Sequence, residues 1–224
     1  PVSLVELLCK LLALYPDIRF RLGSLDPRVV DQAFGSRLSG FDNLARHFHL
    51  SLQSGCDAVL ERMGRKYTAD QYYNSVQILR RAFPDCSITT DLIVGFPGET
   101  DKEFEQTLLF LEKCAFASVH VFPYSIRKGT RAADMPGQVP QGVKTARAAR
   151  AKRLAAQLSE AYRRRFIGRC LHALPEHSVP DGLWAAHGTY GFPIYIRGNG
   201  AAKNQPVDVY VRAVYRDGVL AEIN

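Results

Sequence analysis

The residues able to do chemistry in this chain stand at the ends of short apolar runs. Thr90-Asp91-Leu92-Ile93-Val94 feeds directly into Gly95-Phe96-Pro97-Gly98-Glu99-Thr100. Leu92 and Val94 alternate with Asp91 and Gly95, which gives a strand one apolar and one polar face. Gly95 and Gly98 let main chain approach a flat group closely, because no Cβ intervenes. The alternation recurs: Arg19 and Arg21 oppose Ile18, Phe20 and Leu22; His47, His49, Ser51 and Gln53 oppose Phe48, Leu50 and Leu52; Ser118 and His120 oppose Val119 and Val121. Strands covered on both faces read as continuous apolar runs. These half-polar strands therefore predict a sheet whose inner side lines a polar channel, with ligand bound at the strands' carboxyl ends. No general acid–base pair accompanies the Gly-Phe-Pro-Gly-Glu turn, which argues against a phosphate-binding barrel enzyme built on it.

Helices of sufficient length separate these strands. The sequence predicts a helix over 3–14, a strand over 18–22, and a helix from Pro27 through Phe34. A strand over 46–53 follows, then a short helix to Met63 capped by Asp57. Thr68 with Gln71 forms a capping box, with Tyr67 and Tyr72 as its staple, for a helix reaching Phe83. A strand over 87–95 leads to a helix over 100–114, capped by Thr100 with Glu103 and burying Phe104, Leu108 and Leu111; the last strand covers 118–124. Strand-helix units of this size give right-handed parallel crossovers. The expected fold is α/β: a partial, open parallel βα barrel over 1–138, whose segment from Ser125 to Gln138 is a loop over the channel mouth.

A basic linking helix is expected over 139–167, about 42 Å long at 1.5 Å per residue, with Leu154, Leu158, Tyr162 and Phe166 striping one face. Short strands with turns fill 168–224 and predict a small antiparallel barrel of oligonucleotide-binding type. Asp217-Gly218 reads as its last hairpin turn. Val207, Val209, Val211 and Ala213 face its interior, and Tyr210, Arg212 and Arg216 face out, an aromatic and cationic mixture suited to single-stranded RNA.

The chain has 224 residues, 46% of them hydrophobic, and a net charge of +7. That size supports one good-sized domain and a small one without disulfides. No apolar run approaches the ~18–20 residues of a membrane span, and no signal pattern opens the chain. The five cysteines are tens of residues apart, which predicts reduced thiols in a cytoplasmic protein. Nine basic residues, among them Arg163, Arg164 and Arg165, meet only Glu160 between Lys144 and Arg169. That local field favours a polyanionic partner.

Four motifs resemble those of the radical S-adenosylmethionine methylthiotransferases, which insert a methylthio group into an adenosine beside the tRNA anticodon. They are HLSLQSGCDAVLERMGRKYT (His49 to Thr68), TTDLIVGFPGET (Thr89 to Thr100), HVFPYSIRKGT (His120 to Thr130) and MPGQVP (Met135 to Pro140). The last two look most like the branch acting on threonylcarbamoyladenosine. By this resemblance the channel holds S-adenosylmethionine: Ser51 and Gln53 contact its ribose or amino-acid end, Asp91 lines the channel, Gly95, Gly98 and Glu99 lie against the adenine, and main chain from Phe122 to Tyr124 completes that contact. The pattern SxRxGTxA, met by Ser125, Arg127, Gly129, Thr130 and Ala132, implies that Arg127, Lys128 and Thr130 border the RNA substrate, with Arg163, Arg164, Arg165, Tyr210, Arg212 and Arg216 as further RNA contacts. The family ends in a small RNA-binding barrel called TRAM, expected here over 168–224. In the family a reduced iron-sulfur cluster cleaves S-adenosylmethionine to a deoxyadenosyl radical, and a second cluster is associated with sulfur delivery.

One departure stands out: the family's CxxxCxxC is absent. No metal ligand is therefore expected in this chain, and none of its residues is expected to be catalytic by itself. The full enzyme would carry two 4Fe-4S clusters, held by an amino-terminal part of the same protein. With its start at Pro1 and no Met, the chain reads as the carboxyl-terminal part of such an enzyme, inactive alone. Two rival readings are an RNA-binding module without catalysis and a methylthiotransferase acting on a ribosomal protein.

Overall fold

The structure is a computed structural model that describes residues 2–198 and 200–223. Four parallel strands lie in the order β1 (Ser24–Leu25), β2 (His47–Leu50), β3 (Ser87–Val94) and β4 (Ser118–Pro123). Helices α1 (Leu4–Leu14), α2 (Gln32–Leu38), α3 (Asp57–Arg62), α4 (Ala69–Ala82) and α5 (Asp101–Cys114) precede or connect them. Phe48, Leu50, Leu52, Ile88, Leu92 and Val94 project from the strands into a core shared with Phe34, Phe83, Phe104 and Phe116. Capping boxes start three helices: Ser3 with Glu6, Thr68 with Gln71, and Thr100 with Glu103. Each satisfies backbone N–H groups that the first turn leaves free.

Four expectations need correction. The first strand is Ser24–Leu25, not 18–22; only Phe20 pairs before it, bridging Leu44. Asn43 instead donates its amide to the carbonyls of Leu12, Tyr15 and Ile18, holding that stretch at the end of α1. The helix predicted from Pro27 is one 3-10 turn over Pro27–Val29, and α2 starts afresh where Asp31 accepts the Phe34 N–H at 2.8 Å. Asp57 is the first residue of α3 and accepts the Ala69 N–H at 2.7 Å, tying α3 to the start of α4. The second strand stops at Leu50, because Thr90 donates its hydroxyl to the Leu50 carbonyl at 2.6 Å and accepts the Leu52 N–H at 3.0 Å. Pairing resumes at Gln53, whose N–H reaches the Asp91 carbonyl at 2.9 Å and whose φ is 71°. A left-handed non-glycine residue of this kind costs about 1 kcal/mol or more.

After β4 the chain crosses the mouth of the sheet and enters α6 (Gln141–Arg164), shorter than the predicted helix because Pro140 starts it and a 3-10 turn ends it. Small Ala148, Ala151 and Ala155 let α6 settle onto the first core, with Leu154 and Leu158 at its margin. Tyr162 and Phe166 enter a second core instead. The stripe thus joins two cores rather than covering one.

The second core fills a closed barrel of β5 (Cys170–Val179), β6 (Leu183–His187), β7 (Pro193–Arg197), β8 (Val207–Tyr215) and β9 (Gly218–Ile223), ordered β5-β6-β7-β9-β8. It is not wholly antiparallel, since β7 and β9 pair in parallel. Val209 and Val211 are buried as expected, but a register shift after Val211 leaves Ala213 half-buried. Tyr215 pairs with Gly218, so the hairpin residues are Arg216 and Asp217, with Arg216 at φ 50°. The barrel meets the amino end of the sheet: the Arg46 N–H donates to Thr189 Oγ1 at 3.0 Å, and Gly191 lies against the His47 ring.

Candidate functional site

The carboxyl ends of β3 and β4 open into a cavity of about 420 Å³, lined by Gln53, Asp91, Ile93, Phe122, Tyr124 and Arg127 and closed above by Thr130 and Ala132. Three features mark it as built for a ligand. Gln53 is held in its left-handed conformation by hydrogen bonds on both sides, to Asp91 and Ile93. Asp91 has no cationic lysine or arginine within salt-bridge range among the described residues; its Oδ2 faces His49 Nε2 at 3.4 Å. Phe122 is 52% exposed at the mouth, a ring free to stack. These features fit a nucleoside-bearing ligand such as S-adenosylmethionine.

Of the residues implied as cofactor contacts, Gln53, Asp91, Phe122 and Tyr124 come together here, and Arg127 and Thr130 join them from the loop. Ser51 does not line the cavity, and its carbonyl accepts the Tyr67 hydroxyl at 2.9 Å. Gly95, Gly98 and Glu99 do not face it either, and their closeness serves the protein's own chain. A Cβ on Gly95 would stand 2.3 Å from Lys144 Cγ, and the Gly98 N–H donates to the Gly137 carbonyl at 2.8 Å. Glu99 Oε2 accepts the Gly95 N–H at 2.6 Å and Arg147 Nη1 at 2.8 Å. The turn is thereby bolted to α6, which fixes where β3 delivers Asp91.

No iron-sulfur cluster fits these residues. Among the described residues no three His, Cys, Asp or Glu side chains gather as a metal site. Cys86 and Cys114 are buried, and burial pushes both thiols up to about 12, away from the thiolate a metal needs. Cys56 Sγ contacts Gln106 Oε1 at 3.1 Å.

Five of the nine basic residues in the stretch are paired with carboxylates. Arg147 pairs with Glu99 and Asp101, Arg150 with Glu105, and Arg164 with Glu160. Arg165 and Arg169 share Asp85, and the Arg169 hydrogen bond holds that carboxyl below its usual range. Lys144 is buried and donates to the Tyr124 carbonyl at 3.1 Å. Arg163 has no carboxylate among the described residues; its Nη1 reaches Ser159 Oγ and the Asp217 carbonyl. On the barrel, Arg212 lies over Tyr210 and pairs with Glu222, while Arg216 lies over Tyr195 and Tyr215 and pairs with Asp181.

Residues 2–111 match the model of the radical SAM superfamily. The first half of this chain is radical SAM. A threonylcarbamoyladenosine tRNA methylthiotransferase of Thermotoga maritima is 39% identical over 219 residues, 98% of this chain and 50% of that protein. A tRNA-2-methylthio-N6-dimethylallyladenosine synthase of Syntrophotalea carbinolica is 35% identical over 223 residues, 99% of this chain and 51% of that protein. The chain therefore spans about half the length of these curated relatives. Among solved structures, coproporphyrinogen III oxidase from Escherichia coli, described as a radical SAM enzyme, superposes with a TM-score of 0.55 at 16% identity, over 83% of this chain and 49% of its own. At that identity the likeness speaks for the radical SAM fold alone.

Sequence reasoning missed two groupings. Lys144 and Arg147 are structural and buried, a role signalled by their i,i+3 spacing among alanines on one helix face. Arg21, His47 and Arg163 converge at the opposite end of the channel from Gln53, and no local pattern brings residues so distant in sequence together.

Proposed function

We propose that this chain is part of a radical SAM methylthiotransferase that modifies threonylcarbamoyladenosine beside the tRNA anticodon. The observation that carries this reading is the relationship to a tRNA methylthiotransferase across 98% of the chain. The SxRxGTxA and MPGQVP motifs favour the threonylcarbamoyl substrate. In this reading S-adenosylmethionine lies in the upper cavity and supplies the adenosyl and methyl groups. Asp91 and Gln53 hold its polar end, Phe122 flanks its ring, and Tyr124 lines the wall beside it. Ser51, Gly95, Gly98 and Glu99 act indirectly, by setting the strand ends. The clusters belong to another part of the protein, which is also the chain's expected partner, and no residue here is assigned to them.

The closed five-stranded barrel fits a TRAM-type, oligonucleotide-binding module. Its stacked Tyr210–Arg212 pair and its Tyr195–Arg216–Tyr215 group offer rings and guanidinium planes to RNA bases. It sits at the amino end of a sheet whose eight-residue β3 is about 26 Å long, so RNA reaching both the barrel and the Arg127-Lys128 loop must run along the molecule, as an anticodon arm can. Arg163, Arg164 and Arg165 stand at the barrel end of α6, where Arg163 Nη1 reaches the Asp217 carbonyl. No helix of the described residues is long and apolar enough to cross a membrane, and five unpaired thiols suit the cytoplasm.

Nucleoside mass spectrometry of tRNA from cells lacking the whole protein, with and without its restoration, tests the substrate. Restoration should return the methylthio group to threonylcarbamoyladenosine. Its return only to dimethylallyladenosine would move the protein to the other branch, and its appearance on ribosomal protein with tRNA unchanged would sink the RNA reading.

A further inference from the structure

A second cavity, of about 500 Å³, lies between the amino end of the sheet, α6 and the small barrel. Arg21, His47, His49 and His120 face it from the first unit, Arg163 from α6, and Asp217 from the barrel. Two of these are guanidinium groups without a carboxylate partner among the described residues, whereas the neighbouring Arg164, Arg165 and Arg169 each have one. Arg21 Nε donates to His47 Nδ1 at 3.2 Å, and His47 Nε2 is 3.3 Å from Thr89 Oγ1. Arg21 Nη2 also lies 3.2 Å from His47 Nε2, so both ring nitrogens face this one guanidinium, and Arg21 Nη1 has no protein acceptor among the described residues. Burial, with Arg21 beside it, pushes His47 down to about 4, so it stays neutral at physiological pH. Arg163 Nε is buried with no partner. A buried donor of this strength is costly unless a group accepts from it, while Arg21 is exposed and free to offer its remaining donor. The one carboxylate on the wall, Asp217, has Oδ1 engaged by the Tyr195 hydroxyl at 2.6 Å. The walls are further supplied with hydroxyls by Thr89, Ser118 and Ser159. Gly191 closes the pocket so tightly that a Cβ there would stand 2.6 Å from His47 Cδ2 and 3.1 Å from Arg21 Nη2.

We propose that this inter-domain pocket binds a phosphate-type oxyanion between Arg21 and Arg163. Arg21 belongs to the sheet unit and Arg163 to the helix that enters the barrel core, so the bound anion fastens the two units together. The site is separate from the upper cavity and does not depend on the assignment made there.

The chain's six histidines provide the readout. His47, His49 and His120 line this pocket, while His172, His177 and His187 lie on the small barrel. Inorganic phosphate titrated into the chain at constant ionic strength and pH 7.5 should shift the imidazole C–H resonances of the first three saturably and leave the other three still. Arg163→Gln should weaken that phosphate binding about tenfold, the value of one charge-assisted hydrogen-bonded contact. Arg153→Gln, on the same helix but outside the pocket, should not change it. Arg21→Gln should act like Arg163→Gln; if it loosens the fold, Arg163→Gln, which leaves the Arg21–His47 contact intact, carries the test. A short oligoribonucleotide without terminal phosphate gives the second arm: the same three shifts would identify the phosphate of an RNA chain as the ligand, and shifts with inorganic phosphate alone would identify the free ion. Shifts in all six histidines together, no saturation in either arm, or equal affinity in Arg163→Gln would overturn the proposal.

Discussion

Replacing Arg147 by Met lowers the unfolding free energy by about 3–5 kcal/mol at neutral pH, the cost of leaving a buried charge uncompensated. Arg147 and Glu99 are almost wholly buried, with side chains 7% and 1% exposed, and their 2.8 Å contact fastens the turn after β3 to α6. The second bridge of Arg147, to a 91% exposed Asp101, contributes little. The loss should depend on pH. Burial pushes the Glu99 carboxyl above its ordinary range, against the opposing pull of the Gly95 N–H and Arg147, and Oε1 has no partner. A carboxyl whose folded pKa lies above its unfolded one adds stability below the unfolded value and loses it as pH rises through the folded value. Removing Arg147 raises the folded value further, so the deficit of Arg147→Met is smaller at pH 5 than at pH 7.5. Adding Glu99→Gln should restore part of it at pH 7.5. Chemical denaturation at the two pH values checks this, and a deficit independent of pH would show that packing alone, not charge burial, holds the contact.

Gly218→Ala should be nearly as damaging, and only to the small barrel. A Cβ at Gly218 would stand 2.0 Å from the Pro193 carbonyl oxygen, a main-chain atom with no rotamer to yield. The start of β9 must then leave β7, and with it the pairing of Ile194 with Val219 and Ile196 with Ala221, all buried. We expect a loss of at least about 3 kcal/mol, at the upper end of overpacking costs. The only tryptophan, Trp184, sits on β6, so its fluorescence reports the barrel selectively. Its transition should fall well below that of far-ultraviolet circular dichroism, which follows the helices of the first unit. Coincident transitions in the variant would mean that the two units unfold together.

What the sequence disclosed follows from how local each interaction is. The capping boxes at Thr68 and Thr100 were legible because both partners lie within one turn. The alternation of His47, His49 and Gln53 with Phe48, Leu50 and Leu52 correctly separated channel from core, because a pleat fixes side-chain direction without reference to neighbours. The end of β2 was not legible, since Thr90 comes from the adjacent strand to interrupt it. The free charge of the basic stretch was overcounted for the same reason: the carboxylates of Glu105 and Asp85 lie 45 and 84 residues from Arg150 and Arg169, and a charge count along the chain does not see them. The glycines of the turn were read as room for a ligand, yet Gly95 makes room for Lys144. A need for close approach is visible in sequence; what approaches is not.

The most direct test of the central claim is release of deoxyadenosine from S-adenosylmethionine by the whole protein, reconstituted anaerobically with iron and sulfide. The wild-type protein should release it, and Asp91→Ala and Gln53→Ala should each reduce the rate at least about tenfold, as expected for losing a polar contact to a bound ligand. Their circular dichroism should be unchanged, because both residues face the cavity and not the core. No release by the wild-type protein, or wild-type rates in both variants, would contradict the assignment of this cavity to S-adenosylmethionine.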